Sequence, residues 1–346
     1  MYTELDHQWM QQALALAKKA LFISNPNPRV GCVLVKENQI IGEGYTQAAG
    51  SHHAEIMAIL DAKAKGNDVK DSTAYVTLEP CCHHGKTPPC TQSLIDNGIK
   101  QVIAAMTDPN PQVAGQGLET LRNAGIEVRC GLLETQARQL NASFYSMHAQ
   151  KRPFVTLKWA ESADGFMASV NAHLQPQKVK ITGPETDQWV HQLRARHQAI
   201  LVGKKTVLTD NPQLTVRLAE GFNPLRLIWA TELQPSPELF IFNNAAKTHL
   251  LLNGTGHSDA HKTFLNTFNP SVKELLEVIY QLNIHSVLVE GGKRVLESFI
   301  KERCYDRIVK LVNTQLYLGK GVRAPEFNTS SPSFILGQDR IFDVKI

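Results

Sequence analysis

Long apolar runs and low-complexity tracts are both missing from this sequence. No stretch approaches the roughly 18 consecutive apolar residues that indicate a membrane-spanning helix, and no biased tract points to a disordered region. The 36 lysines and arginines are scattered rather than gathered into a basic run, and they exceed the 32 acidic residues by a net charge of +4. These absences argue against a membrane protein, a disordered chain and a protein that holds nucleic acid through a basic tail.

The first residues of the sequence do not have the pattern of a secretory leader. The segment 1–19 mixes acidic and amide side chains with its apolar residues, and it has neither a basic start nor an unbroken apolar core. We therefore expect a cytoplasmic protein in which the six cysteines stay reduced. Three of them, Cys81, Cys82 and Cys90, lie within ten residues. Such a cluster in a reducing compartment requires a chemical explanation other than disulfide bonds.

The sequence does contain enough apolar material for two domains. Its 346 residues are 42% hydrophobic, and single cores usually stop growing near about 250–300 residues. Strand-like and helix-like segments alternate along both halves, which favours layered α/β domains. One helix is predicted over 134–146, and a polar stretch that ends in Pro153 follows it. We place the boundary between them, with domains over residues 1–147 and 148–346.

A metal-binding pattern is present in the first half. His53 and Glu55 are separated by one alanine at the start of a predicted helix, and Cys81 and Cys90 flank a loop rich in histidine and proline. One imidazole and two thiolates leave a fourth position open for water, which is the arrangement of catalytic zinc. Zinc deaminases carry H-x-E followed by P-C-x-x-C, and the glutamate moves protons. The first part matches here, whereas Cys90 follows Cys81 by nine residues rather than three.

The residues alone leave two other interpretations of this pattern open. In the first, His53 caps a helix and the cysteines are small buried apolar residues, which is the commoner situation for a lone histidine or cysteine. In the second, His83 or His84 completes a purely structural zinc site with four protein ligands. The combination of His53, Glu55 and two cysteines favours the catalytic interpretation over both.

The loop between the cysteines closely resembles a known family. Segment 77–90 reads TLEPCCHHGKTPPC, and it is similar to the signature of the bifunctional riboflavin-biosynthesis deaminase/reductases, in which eight residues separate the two cysteines. The resemblance extends to 26–35 and 108–111 and continues into the second half. It implies a cytidine-deaminase-like layered domain. It also implies that His53, Cys81 and Cys90 bind zinc and that Glu55, beside the zinc, carries the proton. The implied substrate contacts are Asn27, His83, Lys86, Asp108 and Asn110.

The residues themselves support part of this list. Lys86 suits a phosphate as a point charge, and Asp108 and Asn110 suit ribose hydroxyls, although each is equally explained as a solvated loop residue. Two other positions depart from the family pattern. Thr46 stands where the family often has histidine, which removes one expected substrate contact, and Cys82 stands where serine is common. Cys82 is not expected to bind the metal.

The second half contains a strand that ends in two glycines. The apolar run 286–289 passes through Glu290, Gly291 and Gly292 into a predicted helix. Glycines at a helix start let backbone N–H groups approach a phosphate, which the helix dipole also attracts. The pattern is not G-x-G-x-x-G, so the dinucleotide fingerprint is missing, and a structural turn explains these glycines better when they are taken alone.

The same resemblance implies a dihydrofolate-reductase-like fold for this half. Segments 158–165, 200–206, 210–212 and 214–217 occur in the family's order. The implied NADPH contacts are Ala160, Thr206, Asp210, Gly292, Lys293, Arg294, Val295, Leu296, Glu297 and Ser298. The implied reductase substrate contacts are Lys158, Arg194, Leu214, Arg217 and Glu290. Among these, the two arginines suit a phosphate, and Lys158 and Asp210 are chemically able to move protons.

One departure concerns the cofactor. The family usually has Ser-x-Trp before Ile-Thr, whereas this chain has Lys178 and Lys180 in those places. The change removes an expected cofactor contact, and the two lysines either attract a phosphate or face solvent.

These patterns predict an α/β enzyme with two activities on one small-molecule pyrimidine ribotide. The resemblance implies hydrolytic removal of the 2-amino group of 2,5-diamino-6-ribosylamino-4(3H)-pyrimidinone 5′-phosphate, followed by NADPH-dependent reduction of its ribosyl side chain to ribityl. It also implies a homo-oligomer, and we expect no nucleic-acid or membrane partner. One alternative is a single-function zinc deaminase that acts on nucleic acid or another pyrimidine. A zinc-stabilised binding module is the non-enzymatic alternative.

Overall fold

The computed structural model describes residues 1–24, 27–83, 88–328 and 331–346. The chain divides into two compact units, Met1–Gln150 and Lys151–Ile346. The boundary predicted after residue 147 falls inside a helix, Ala142–Ala149, and the observed division follows that helix. Within the described ranges, no helix has the length and apolar character needed to cross a membrane.

The first unit is built on a mixed five-stranded sheet. Its strands are β1 (Gly31–Lys36), β2 (Gln39–Tyr45), β3 (Thr73–Val76), β4 (Gln101–Ala104) and β5 (Glu127–Cys130). They lie in the order β2-β1-β3-β4-β5, with β1 antiparallel to both neighbours and β3, β4 and β5 mutually parallel. Its helices are α1 (Glu4–Lys19), α2 (Ala54–Ala64), α3 (Cys90–Asp96), α4 (Gln116–Asn123), α5 (Glu134–Leu140) and α6 (Ala142–Ala149).

Local sequence explains where some of these elements begin, and long-range contacts explain others. Thr3 and Asp6 form a capping box that starts α1. The single helix predicted over 134–146 is wrong, because α5 and α6 meet at Asn141. The Asn141 side chain accepts a hydrogen bond from the Arg29 backbone N–H at 2.9 Å and donates one to the Arg29 carbonyl at 2.8 Å. This pairing across the chain accompanies the break, and no local pattern reveals it.

The second unit is built on a nine-stranded sheet and a small three-stranded one. Its strands are β6 (Phe154–Ser162), β7 (Phe166–Val170), β8 (Pro176–Gln177), β9 (Ala199–Gly203), β10 (Leu225–Ala230), β11 (Thr248–Leu252), β12 (Lys262–Phe264), β13 (Ser286–Val289), β14 (Arg307–Asn313), β15 (Val322–Arg323), β16 (Phe334–Leu336) and β17 (Asp339–Lys345). Its helices are α7 (Pro184–Ala195), α8 (Lys204–Asp210), α9 (Val272–Gln281) and α10 (Lys293–Lys301), with a 3-10 turn at Phe240–Phe242.

The large sheet runs β12-β11-β10-β9-β13-β6-β14-β17-β16, and the small one runs β15-β7-β8. In this spatial order, the seven strands from β12 through β11, β10, β9, β13 and β6 to β14 are parallel to their neighbours. Strands β17 and β16 continue the sheet beyond β14 with antiparallel pairing. Every residue of β9 and β13 is buried, as their continuous apolar runs predict for central parallel strands. The carboxyl ends of β6, β9 and β13 share one sheet edge, where parallel α/β sheets commonly bind ligands.

Candidate active sites

Three predicted metal ligands come together in the first unit. His53 directly precedes α2, Cys90 is the first residue of α3, and Cys81 lies in the loop after β3. The His53 Nδ1 atom is 3.2 Å from the Cys90 Sγ atom and 3.5 Å from the Cys81 Sγ atom. All three ligand atoms lie within 4.8 Å of one another. Two helix starts and one loop therefore create a single donor set.

This donor set fits zinc. A tetrahedral ion with ordinary Zn–N and Zn–S bonds holds a nitrogen and a sulfur ligand about 3.6 Å apart, close to the 3.2 and 3.5 Å found between His53 and the two sulfurs. Hydrogen bonding to Cys90 and His53 lowers the pKa of Cys81 to about 4, which favours the thiolate that a metal requires. His83 is exposed and outside this cluster, and His84 lies outside the described residues.

Glu55 lies beside the ligands. It belongs to the first turn of α2, two residues after His53, and 3% of its surface is exposed. Burial and the neighbouring Cys81 raise the pKa of Glu55 to about 7. A carboxyl group that titrates near neutral pH both takes up and releases protons, as a general acid–base group must.

The predicted substrate residues of the first unit have different environments. Asp108 is buried, and burial raises its pKa to about 6. Its Oδ1 atom accepts the backbone N–H of Asn110 at 2.8 Å, so these two residues form one compact turn. Asn27 and His83 are exposed. Lys86 lies outside the described residues.

The two departures from the family pattern also have clear environments. Thr46 is buried, and its Oγ1 atom accepts the backbone N–H of Val30 at 3.0 Å. This contact uses the hydroxyl to join the end of β2 to the start of β1. Cys82 is partly buried and outside the His53, Cys81 and Cys90 cluster.

A buried network of charges occupies the predicted substrate region of the second unit. Glu290 follows β13 and accepts two hydrogen bonds from the Arg194 guanidinium, both at 2.8 Å. The Lys158 Nζ atom, on β6, is 3.9 Å from the same carboxylate. Burial alone would raise the pKa of Glu290, but Arg194 and Lys158 outweigh it and hold that pKa at about 2. Glu290 is therefore a permanent anion between two cations.

Two members of this network were not predicted from the sequence. His191 is buried on α7, and its Nδ1 atom accepts the Arg217 backbone N–H at 2.9 Å. Burial and the neighbouring Arg194 and Arg217 lower the pKa of His191 to about 4. The Thr215 Oγ1 atom accepts a hydrogen bond from the Arg217 guanidinium at 2.6 Å. A signal for His191 did exist, because it precedes Arg194 by three residues and so shares its helix face. Leu214, a predicted contact, is buried beside this segment.

The start of α10 fits a nucleotide phosphate. Gly292 has a φ of +61°, and a Cβ atom there would lie 3.0 Å from the Thr206 Oγ1 atom. A Cβ atom on Gly291 would lie 2.5 Å from Val202. Only glycines permit this close backbone approach ahead of a helix N-terminus, the type of place where phosphates bind.

The other predicted NADPH residues are distributed around this turn. Residues 293–298 form the first two turns of α10, in which Leu296 is fully buried in the apolar core and turns its side chain inward. Ala160 is half-buried on β6. Asp210 ends α8, and burial raises the pKa of its carboxyl.

The lysines at the Ser-x-Trp positions contact acidic residues or their backbone. Lys180 forms an ion pair with Asp187, and 66% of its side chain is exposed. The Lys178 Nζ atom donates a hydrogen bond to the Asp210 carbonyl oxygen at 3.2 Å. Both lysines thus lie on the side of the unit that carries α7 and α8.

The chain is similar to known proteins over almost its whole length. Residues 3–106 match the model of the cytidine and deoxycytidylate deaminase zinc-binding region, and residues 153–327 match that of the RibD C-terminal domain. The riboflavin biosynthesis protein RibD of Aquifex aeolicus is 41% identical over 331 residues, which cover 93% of this chain and 90% of that protein.

Solved structures show the same similarity. A diaminohydroxyphosphoribosylaminopyrimidine deaminase/5-amino-6-(5-phosphoribosylamino)uracil reductase from Thermotoga maritima matches with a TM-score of 0.84 and 36% identity, covering 99% of this chain and 98% of that one. RibD of Acinetobacter baumannii matches with a TM-score of 0.84 and 35% identity, covering 99% of each chain.

Proposed function

Because the chain belongs to the RibD family of bifunctional deaminase/reductases in riboflavin biosynthesis, we propose that it performs two consecutive reactions on one pyrimidine ribotide. The first hydrolyses the 2-amino group of 2,5-diamino-6-ribosylamino-4(3H)-pyrimidinone 5′-phosphate. The second reduces the ribosyl side chain of that product to ribityl with NADPH. The observation that carries the proposal is the buried Glu55 carboxyl beside a zinc-compatible donor set.

Family membership confirms two predictions made from the sequence. The resemblance carried by segment 77–90 is correct, and so is the combination of a cytidine-deaminase-like domain with a dihydrofolate-reductase-like one. The roles of individual residues form part of the proposal and are argued from their surroundings.

The first unit carries out the hydrolysis. When bound to His53, Cys81 and Cys90, zinc supplies a water whose pKa is lowered to about 7. Glu55 takes a proton from the attacking water and delivers it to the departing amine, so the carbon–nitrogen bond breaks and ammonia leaves. Its burial on the first turn of α2, two residues from the ligand His53, suits Glu55 to both transfers.

Substrate contacts in the first unit are assigned to the turn that carries Asp108 and Asn110. The turn offers carboxylate and amide groups for the ribose hydroxyls. Asn27, His83 and Lys86 complete the proposed contacts, and the charge of a lysine such as Lys86 suits the phosphate.

The second unit carries out the reduction. Gly292 and the first turns of α10 would hold NADPH, which would supply the hydride when bound. Burial lowers the pKa of Lys158, which eases transfer of its proton to the ring oxygen of the sugar. The bond between that oxygen and the anomeric carbon breaks, and the anomeric carbon accepts the hydride. Glu290 keeps the Lys158 ammonium in place through their ion pair.

The two arginines of this unit have different proposed roles. The Arg194 Nε and Nη2 atoms both donate hydrogen bonds to the Glu290 carboxylate, so we assign Arg194 the role of holding that carboxylate in place. Arg217 uses one guanidinium nitrogen on Thr215 and retains other donors for the substrate phosphate. Leu214 directly precedes Thr215, and its proposed role is to pack against the bound ribotide.

The test follows ammonia release and NADPH absorbance in parallel, with the diaminopyrimidinone ribotide as substrate and Glu55→Ala as the control variant. We expect both signals from the wild type. Glu55→Ala should release no ammonia from the diaminopyrimidinone ribotide, and it should still oxidise NADPH when it is supplied with the deaminated ribotide. Ammonia without NADPH oxidation would contradict the reductase assignment. Ammonia release from single-stranded nucleic acid instead would support the single-function alternative, and zinc binding without any activity would support a binding module. Equal use of NADH and NADPH would contradict the cofactor assignment.

The cellular setting belongs to the same proposal. All six cysteines are free, and two proposed zinc ligands are thiols, which suits a reducing compartment such as the cytoplasm. We also assign a homo-oligomeric state on the basis of the family resemblance, and a sedimentation measurement on the purified chain tests it.

A further inference from the structure

A buried carboxylate of the first unit has no place in the proton transfer described above. Glu79 lies two residues before Cys81, and 3% of its surface is exposed. Its two oxygens accept four backbone hydrogen bonds. The donors are the N–H groups of Asp108 at 3.0 Å, Gly115 at 2.9 Å, Gly117 at 2.8 Å and Leu118 at 3.3 Å.

These four bonds are of the strong, charge-assisted kind. A carboxylate gains roughly twice as much from an N–H donor as a neutral acceptor does. Gly117 and Leu118 belong to the first turn of α4, whose N–H groups have no partner inside the helix. Glu79 therefore caps α4 from a distance of more than 30 residues along the chain, and the positive end of the helix dipole favours its charge.

The carboxylate also joins two parts of the proposed deaminase site. On one side it is next to the loop that carries Cys81, and on the other it holds the backbone of Asp108, the first residue of the turn with Asn110. The backbones are in close contact as well, because a Cβ atom on Gly117 would lie 2.1 Å from the Pro80 carbonyl oxygen. The metal loop and segment 108–118 are thereby fixed to each other.

We propose that Glu79 is a positioning residue of the deaminase, whose carboxylate sets the distance between the metal ligand Cys81 and the substrate contacts Asp108 and Asn110. This inference rests on the proposed function, since it needs Asp108 and Asn110 to touch the ribotide. If it is correct, Glu79 acts on substrate affinity through backbone geometry rather than on proton transfer. A merely structural role would instead reduce zinc content, stability and activity together.

The experiment uses the full chain with Glu79→Gln, which keeps the size of the side chain but replaces one acceptor oxygen by an amide group facing N–H donors. We expect KM for the ribotide in ammonia release to rise about tenfold or more, with kcat changed by less than about threefold. Zinc content should stay at one ion per chain, and NADPH oxidation with deaminated ribotide should be unchanged.

A matched control is Asp6→Asn. Asp6 is another buried carboxylate of the first unit, and it accepts hydrogen bonds from Thr3 and from the Tyr75 hydroxyl. It is not part of either segment joined by Glu79, so KM should not change. An equal rise of KM in Asp6→Asn would overturn the inference, because it would show a general effect of lost buried charge.

A double-mutant cycle supplies the readout that a structural role would not move. If Glu79 acts through the Asp108 turn, Glu79→Gln should add little to the KM of Asp108→Asn, whereas independent effects would multiply. A KM within about twofold of wild type in zinc-loaded Glu79→Gln would contradict the inference.

A second variant tests the same inference if Glu79→Gln does not fold. Gly117→Ala keeps the charge and forces segment 108–118 away from Pro80, so it should raise KM with zinc retained. An unchanged KM in this variant would refute the inference. Failure of the proposed function is distinguishable from all of these outcomes, because the wild type itself would then release no ammonia from the ribotide.

Discussion

The two units each bury a glutamate in their candidate site, and they impose opposite properties on it. Glu55 has a thiolate ligand as a close neighbour, and burial together with Cys81 raises its pKa to about 7. The Glu290 side chain is only 6% exposed, but Arg194 and Lys158 hold its pKa at about 2. Similar side chains thus become a proton carrier in one unit and a fixed anion in the other. The difference shows that burial raises the pKa of a carboxyl unless cationic partners outweigh it, as they do at Glu290.

The largest expected effect comes from removing the proton carrier. Glu55→Gln should lower kcat for ammonia release by about 10²–10⁴-fold, since the amide cannot move a proton. NADPH oxidation with deaminated ribotide should stay at the wild-type rate, because each unit has its own apolar core. Parallel assays of the two activities check this result. A variant that lost both activities would show that Glu55 supports folding more than chemistry.

Removing the fixed anion should have a mixed effect. Glu290→Gln leaves Arg194 and Lys158 buried without their partner, which costs about 3–5 kcal/mol when a buried ion pair is broken. We expect slower NADPH oxidation. A denaturant titration should also show that the second unit unfolds at a lower midpoint concentration of denaturant than in the wild type. Glu277→Gln is the control, because Glu277 is exposed on α9. Wild-type stability in Glu290→Gln would mean that Arg194 and Lys158 do not depend on this carboxylate.

This contrast also explains how much of each site could be predicted from the sequence. The donor set of the first unit was predicted because zinc chemistry restricts its ligands to a few residue types, and three such residues with a glutamate are rarely found together by chance. The network of the second unit was predicted in part. His191 was missed because a lone histidine on an amphipathic helix is commonly a core residue, and its partner Arg217 lies 26 residues further along the chain.

The fold shows the same limit. Central strands such as β9 and β13 were predicted from continuous apolar runs, whereas short edge strands such as β8 and β16 lack enough residues for a pattern. Glu79 stands in the signature segment, yet its role depends on N–H groups 29 to 39 residues away. Long-range backbone pairing of this kind leaves no trace in local spacing.

A smaller effect is expected from pH, and it should separate the units further. His197 is buried in the second unit, and burial lowers its pKa to about 4. Its Nε2 atom accepts from the Thr156 hydroxyl at 2.9 Å while Nδ1 donates to the Leu193 carbonyl at 2.8 Å, so the neutral ring is fully used.

The sign of the pH effect follows from linkage. Between pH 6.5 and 4 the unfolded chain binds a proton that the folded chain refuses, so stability falls as pH decreases through that range. The loss is at most about 3 kcal/mol. Urea titrations at pH 7 and pH 5 measure the free energy of unfolding at each pH, and the difference between the two values gives the slope of stability against pH. His197→Gln should reduce this slope. His257→Gln, at an exposed histidine, should keep it. An unchanged slope in His197→Gln would assign the pH dependence to other groups, such as His191.

The smallest effect is expected at the lysine that replaces the family's tryptophan. Lys180 pairs with Asp187 at the surface, and 66% of its side chain is exposed. Exposed ion pairs contribute about 0–1 kcal/mol, so Lys180→Ala should change the stability of the second unit by less than that. If Lys180 only faces solvent, KM for NADPH stays within about twofold of wild type at low and high salt. A KM that rises in the variant at low salt, and returns to the wild-type value at high salt, would instead show that this lysine attracts a cofactor phosphate. That outcome would limit the contrast between Glu55 and the buried network of Glu290, because the second unit would then bind its ligands partly through the exposed Lys180 as well as through that network.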